Sequence, residues 1–277
     1  MNVVTPITIN DSSITIAVIT HKPYRMPTGS IYMPLHVGAS IHPSVLPDLA
    51  QDNTGDNISS KNAEYSELTG LYWVWKNIKS DFKGIVHYRR LFATPNSLRC
   101  VMYQDCFSHV ICESELRECL AQSDVILPRR RNYVIESVYS HYIHTIRDGA
   151  VQLAVARDVI RTLEPNYLSA FDVVMNSRRA HMFNMFVMSS AKMNEYCSWL
   201  FPVLSEICEQ VDASDYDSFN RRYPGRISEM LLDVWLLTKD YNYMELPVLN
   251  TEPVNWVKKG TSFLKAKFFH QEYIKSF

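Results

Sequence analysis

Only 8 of the 277 residues are glycine, and neither G-x-G-x-x-G nor G-K-S/T occurs, which excludes a glycine-rich phosphate loop of the Walker or dinucleotide-binding kind. Excess charge of one sign is lacking as well: 28 Lys+Arg stand against 29 Asp+Glu, with a formal net charge of −1 and a pI near 6.7. No basic run exceeds Arg129-Arg130-Arg131. A nucleic-acid partner is therefore not expected, and any anion site must be local. The six cysteines contain no C-x-x-C pair and read as reduced thiols rather than a disulfide framework or a zinc site. No apolar run approaches a membrane span, and residues 1–13 lack the charged-then-apolar order of a signal peptide. The expectation is a cytoplasmic protein.

What the chain does have is apolar and aromatic material, 47% hydrophobic and 12% aromatic with 16 Tyr, enough to bury a full core without disulfides or metal. Residues 14–20 form a β-branched run that stops at His21-Lys22-Pro23 and reads as a buried first strand. Residues 23–60 carry five prolines and the Asp52-Asn53-Thr54-Gly55-Asp56-Asn57 stretch, turn chemistry in a connection long enough to be functional. Tyr65, Leu68, Tyr72, Trp75 and Ile78 recur at spacings of three and four, which predicts a helix over 62–79.

A short strand over 84–88 follows, ending in Arg89-Arg90, then a helix over 113–121 and a strand over 124–127 closed by Pro128. This alternation predicts an α/β fold with a mostly parallel sheet flanked by helices. The second half reads as helical over 133–147, 151–163, 165–175, 191–211 and 226–240, with Pro202 expected to kink or split its helix. Between these helices lie a buried strand over 181–188, in which Asn184 is the odd polar member, and a late strand over 244–249.

Ligands in open α/β sheets gather beyond the C-terminal strand ends. Thr20-His21-Lys22, His87-Tyr88-Arg89-Arg90 and the surroundings of Asn184 lie there. Two guanidinium groups at a strand end can hold a phosphate or diphosphate; they can equally be a surface pair bound to acidic neighbours, and spacing does not separate the two. Asp56, Asn57, Lys61 and Asn62 sit in a loop before a helix, where sugar or ribose recognition competes with an ordinary solvated turn. His141, His144 and Asp148 are spaced to share a helix face, a pattern more common on surfaces than in metal sites, and no third ligand type completes it. Glu229, read as standing in the first turn of the helix after Pro224-Gly225, suits either the helix dipole or a general base aimed at an acceptor hydroxyl.

Taken together, Thr20-His21-Lys22, T-G-D-N-I-S at 54–59 with Lys61-Asn62, E-L-T-G-L-Y-W-V-W-K-N at 67–77, G-I-V-H-Y-R-R at 84–90, N-M-F-V-M at 184–188, W-L-F at 199–201 and the segment 225–231 resemble the bacterial capsular and exopolysaccharide synthesis glycosyltransferases, long catalogued as a domain of unknown function. The resemblance runs in order from about residue 14 to 256.

It implies a GT-A-like fold with a helical C-terminal half, a glycosyltransferase domain over 14–257 between an N-terminal tail 1–13 and a basic-aromatic tail 258–277, and a nucleotide-sugar donor, UDP-linked, used to extend a surface glycan. Galactofuranosyl transfer with inversion is the finer implication. On that basis Thr20, His21, Lys22, Asp56, Asn57, Lys61, Asn62, Arg89 and Arg90 are assigned to the nucleotide sugar, and His144, Asp148 and Asn184 to donor or acceptor sugar. Glu229 is assigned to catalysis, with Met230 where the family has Arg. No metal or other cofactor is assigned: Arg89, with Arg90 and Lys22, is expected to replace the metal at the diphosphate. The acceptor is a glycan or lipid-linked glycan, and the tail with Lys258, Lys259, Lys265, Lys267, Phe268 and Phe269 could touch the inner face of a membrane carrying it. The competing readings are a carbohydrate-binding or scaffold protein of an assembly complex and, more remotely, a sugar phosphotransferase.

Overall fold

The computed structural model describes residues 11–96 and 105–252; the basic-aromatic tail lies outside them. The elements run β1 (Ile14–Thr20), β2 (Tyr32–His36), β3 (Ala50–Gln51), α1 (Asn62–Tyr65), α2 (Leu68–Asn77), β4 (Phe82–His87), β5 (Arg90–Phe92), α3 (Glu113–Leu120), β6 (Val125–Pro128), β7 (Arg131–Asn132), α4 (Val138–Thr145), α5 (Gly149–Leu163), α6 (Leu168–Asn176), β8 (Arg179–Ala180), β9 (Phe186–Ser189), α7 (Ser190–Gln210), α8 (Tyr223–Lys239), β10 (Met244–Leu246) and β11 (Val248–Asn250). The fold is α/β, a central sheet flanked by helices, with a mostly helical second half.

The sheet order is β10-β6-β9-β4-β1-β2-β3, with β5 leaving β4 and β11 pairing β5. β1 lies parallel to β2 and β4, whereas β9 enters antiparallel between β4 and β6. Residue alternation explains why these strands are apolar on both sides. Ala17, Ile19, Ile85, Phe186 and Met188 face the core shared with α2, α7 and α8, while Ile16, Val18, Val86 and Val187 face the core over α3. A Cβ on Gly84 would lie 2.4 Å from the Phe186 carbonyl oxygen, so glycine is what lets β9 approach β4 this closely.

Several local outcomes differ from the sequence expectation for identifiable reasons. β2 forms inside the proline-rich connection because β3 pairs only Leu35 and His36, leaving Pro34 where no amide is needed on that side. The helix expected over 62–79 breaks at Ser66, which takes a left-handed φ of 49°. α4 starts at Val138, not at 133, because Ser137 caps it by accepting the Ser140 amide. α8 begins at Tyr223 with Pro224 in its first turn, so Glu229 lies in the second turn, beyond the dipole effect invoked from sequence. α7 runs unbroken through Pro202; the carbonyl that proline frees belongs to exposed Ser198, where water can serve it.

One buried carboxylate organises the region before α2. Asp52 is fully buried and accepts from the Gly38 and Ala39 amides at 3.0 and 3.1 Å, Ser59 Oγ at 2.5 Å and Thr69 Oγ1 at 2.6 Å. It thereby ties the turn after β2, the 3-10 turn Ser59–Lys61 and the first residues of α2 together. Gly38 has a φ of 72°, and a Cβ there would lie 2.6 Å from Asn62 Oδ1, so this turn admits only glycine without rearrangement. Replacing Asp52 with Ala orphans two buried amides and removes the acceptor of the Ser59 hydroxyl, while Thr69 keeps the Ser66 carbonyl. The expected cost is about 3 kcal/mol or more, read as a lower midpoint in urea denaturation.

Candidate functional site

A cavity of about 680 Å³ opens at the C-terminal ends of β1 and β4. His21 follows β1, and His87, Tyr88, Arg89 and Arg90 form the tight reversal from β4 into antiparallel β5. Glu67 enters from the start of α2, Arg226 and Glu229 from α8, and Tyr133, His141 and Tyr142 from the segment around α4. Because α1 breaks at Ser66, Glu67 becomes the residue that opens α2, and the Thr69 bond to Asp52 anchors that end.

Six arginines line the cavity, Arg89, Arg90, Arg131, Arg221, Arg222 and Arg226, against two carboxylic acids, Glu67 and Glu229. In a chain of net charge −1 this is a concentrated positive site. The two readings of Arg89-Arg90 divide between the two residues. Arg89 is half exposed and 3.6 Å from Glu252, a weak screened pair that Lys22 shares at 3.9 Å. Arg90 instead stacks on Phe183, its guanidinium 4.3 Å from the ring centre. Burial and then Arg89 lower its proton affinity, but a guanidinium stays charged. Arg226 stacks on Phe219 at 3.9 Å, and its Nη1 is buried without a hydrogen-bond partner. A buried donor of this kind is costly until an anion meets it.

Around Glu229 the surroundings oppose ionisation. Burial, followed by the charge of Glu67, pushes the Glu229 carboxyl up to about 8, while the Phe183 amide and the charges of Arg90 and Arg226 act in the other direction. Glu229 keeps some exposure to the cavity and is enclosed by protein elsewhere. His87 donates from Nε2 to the Phe183 carbonyl at 2.5 Å, and burial holds it neutral by lowering its pKa. Burial and then Arg89 also lower His21, whose ring meets Tyr88 edge-on.

Of the residues assigned from sequence, His21, Asn62, Arg89, Arg90 and Glu229 line the cavity. Thr20 is buried behind it and accepts the Lys22 amide, shaping the turn after β1. Asp56 and Asn57 lie outside the lining, in a turn bound to Tyr72, Asn77 and Gly55. Lys61 lies over the Tyr65 ring. His144 meets buried Glu136 at 3.1 Å, and it is His141, held by the same carboxylate at 3.0 Å, that reaches the cavity. Asp148 falls beyond the end of α4 in a left-handed conformation, so it does not share the helix face expected for it.

Asn184 is 2% exposed and sits behind the lining, bonded to Glu67. Sequence reasoning assigned no role to Glu67, His87 or Arg226. All three lie in the segments quoted above, where their only signal was a charged or polar residue at the edge of an apolar segment. Among the described residues no group of three or more His, Cys, Asp or Glu is placed to hold a metal ion, and no helix is long and apolar enough to cross a membrane.

A mixed sheet with a cationic cavity at its C-terminal strand ends defines an α/β protein whose cavity carries the charge that attracts anions. The model of the domain of unknown function DUF4422 matches residues 15–240, and the chain belongs to that family. Among solved structures it is similar to the apo structure of WbbM, a bifunctional glycosyltransferase, with a TM-score of 0.78 and 26% identity. That match covers 87% of this chain and 46% of WbbM, so the chain spans about half of that protein's length. No curated protein matches.

The electrostatic account of the two acids is directly measurable. Glu67→Gln keeps an oxygen for Asn184 but removes the charge that raises Glu229. The Glu229 titration, followed by carboxyl-carbon NMR, then moves below its value near 8; an unchanged midpoint would show that Glu67 does not act on it.

Proposed function

We propose that the chain is a nucleotide-sugar-dependent glycosyltransferase of bacterial surface polysaccharide assembly. The observation that carries this reading is the arginine-lined cavity with a protein-enclosed carboxyl in its wall, supported by the likeness to a bifunctional glycosyltransferase. The donor diphosphate lies against Arg90, Arg226 and Arg89, with His21 beside it. A hydroxyl oxygen of the acceptor glycan attacks the anomeric carbon from the side opposite the diphosphate. The bond to the diphosphate oxygen breaks, the departing charge is met by guanidinium groups already in place, and the hydroxyl proton passes to Glu229. This single displacement inverts the anomeric centre. A UDP donor and a galactofuranosyl group are the finer form of the proposal.

The fixed arginines supply the charge that a divalent ion supplies elsewhere. Of the two carboxyls of the lining, Glu67 is engaged by Asn184, and burial disfavours the ionised form of Glu229 that a cation would need. We therefore expect turnover to survive EDTA; loss with EDTA and recovery with Mn²⁺ or Mg²⁺ would overturn that part.

Binding of UDP raises the melting temperature, and Arg226→Ala weakens it by about 10-fold or more, the worth of one charge-assisted hydrogen bond. With a panel of nucleotide sugars, Glu229→Gln lowers turnover by about 10²–10⁴-fold while UDP binding is kept. UDP binding with no turnover on any donor would favour a non-catalytic scaffold. The pH dependence has a defined sign. A base must be ionised, and Glu229 ionises near 8, so kcat/KM rises as pH passes from about 7 to about 9. A profile flat over that range would remove Glu229 as the base.

A further inference from the structure

Phe183 and Asn184 precede β9 with φ of 82° and 44°, two consecutive non-glycine residues in the left-handed region. Asparagine tolerates that conformation and phenylalanine does so poorly, so the surrounding contacts must impose it. The ladder between β9 and β4 reaches only to Phe186, which leaves the polar groups of the preceding turn outside the sheet. Several of them are engaged by neighbouring elements. The Phe183 carbonyl accepts from His87, its amide favours the ionised form of Glu229, and its ring carries Arg90. Asn184 Nδ2 donates to Glu67 Oε1 at 2.7 Å and to the Gly225 carbonyl at 2.8 Å, and its Oδ1 accepts from Ser228 Oγ at 2.7 Å. Two residues thus join the end of β4, the start of α2 and the first turns of α8.

We propose that the Phe183–Asn184 turn is the positioning device of the site, with Asn184 acting through Glu67 to hold it beside Glu229. Asn184 does not line the cavity and cannot touch a substrate there. No other side chain makes the same set of bonds. Both amide hydrogens are used and the oxygen accepts, whereas aspartate would bring a third carboxyl against Glu67 and an aliphatic residue would take the amide donor away from Glu67, leaving Ser228 and the Gly225 carbonyl only each other. The kinetic consequence rests on the glycosyltransfer reading; the electrostatic one does not. The charged and titratable groups about Glu229 are Glu67 from α2, Arg90 from β5, Arg226 from α8, and Tyr133 and Tyr142 from the α4 side, with His87 at the end of β4 lining the same cavity. Of these, Asn184 bonds only Glu67.

Asn184→Gly keeps a residue suited to the left-handed backbone and deletes the tether. In the full chain without ligand, the Glu229 midpoint in carboxyl-carbon NMR moves down from the wild-type value as Glu67 leaves its side. With a donor and acceptor, kcat falls about 10²-fold while the donor KM stays within about threefold. A double-mutant cycle tests the route: on a Glu67→Gln background, Asn184→Gly has no further effect on the Glu229 midpoint.

Ser228→Ala, which releases one of the three bonds, shifts the midpoint in the same direction by less and serves if Asn184→Gly does not fold. A folded Asn184→Gly protein with an unchanged Glu229 titration, or an equal additional shift on the Glu67→Gln background, overturns the proposal. If the wild-type protein transfers no sugar, the glycosyltransfer reading fails, and the titration and its cycle still decide the role of Asn184.

Discussion

The site depends on a carboxylate that never reaches it. Asp52 is fully buried and its two oxygens are saturated by two amides and two hydroxyls, the condition under which a buried charge is tolerated. Because one donor is Thr69, the start of α2 is held against the turn after β2. The break at Ser66 then presents Glu67 to the cavity. From Glu67 the chain of contacts continues through Asn184 to Gly225 and Ser228 on α8, and so to Glu229 one residue on. Elements separated by more than a hundred residues in sequence are joined by polar bonds that the interior cannot exchange for water.

The cavity sets two electrostatic demands against each other. Stacked arginines with a buried, unpartnered nitrogen call for an anion, and Glu229, in a poorly solvated wall beside Glu67, resists ionisation. The proposed anionic donor would answer the first demand. The second makes Glu229 a stronger base than an ordinary carboxyl once its proton is lost, because the same surroundings that discourage its charge favour its taking a proton back. Neither property belongs to a residue alone: Arg89, next to Arg90 in the chain, is half exposed and paired to Glu252.

Much of the fold was legible in local pattern. β1 is apolar on both faces, and α2, α5 and α7 follow their apolar spacing to within a few residues. Boundaries failed where a single local contact outweighed the pattern, as with the Ser137 cap that delays α4, the left-handed Ser66 that splits the first helix, and Pro224, which opens α8 a turn and a half before Glu229. The antiparallel entry of β9 leaves no trace in an apolar run, since a strand buried on both faces reads the same in either direction.

The same division holds for the site. The sequence by itself determined that there would be an α/β sheet, that charge could not be spread over a surface, and that His21, Arg89 and Arg90 follow strand ends, because strand ends are local properties; Glu229 reaches the same cavity from the second turn of α8, not from a helix start. Only the tertiary structure decided that Glu67, His87 and Arg226 join them, that Asp56 and Asn57 remain in a turn outside the lining, and that Asn184 supports the cavity from behind. Proximity across the chain and depth of burial govern those outcomes. Both arise when the helices of the second half pack over the ends of the strands of the first.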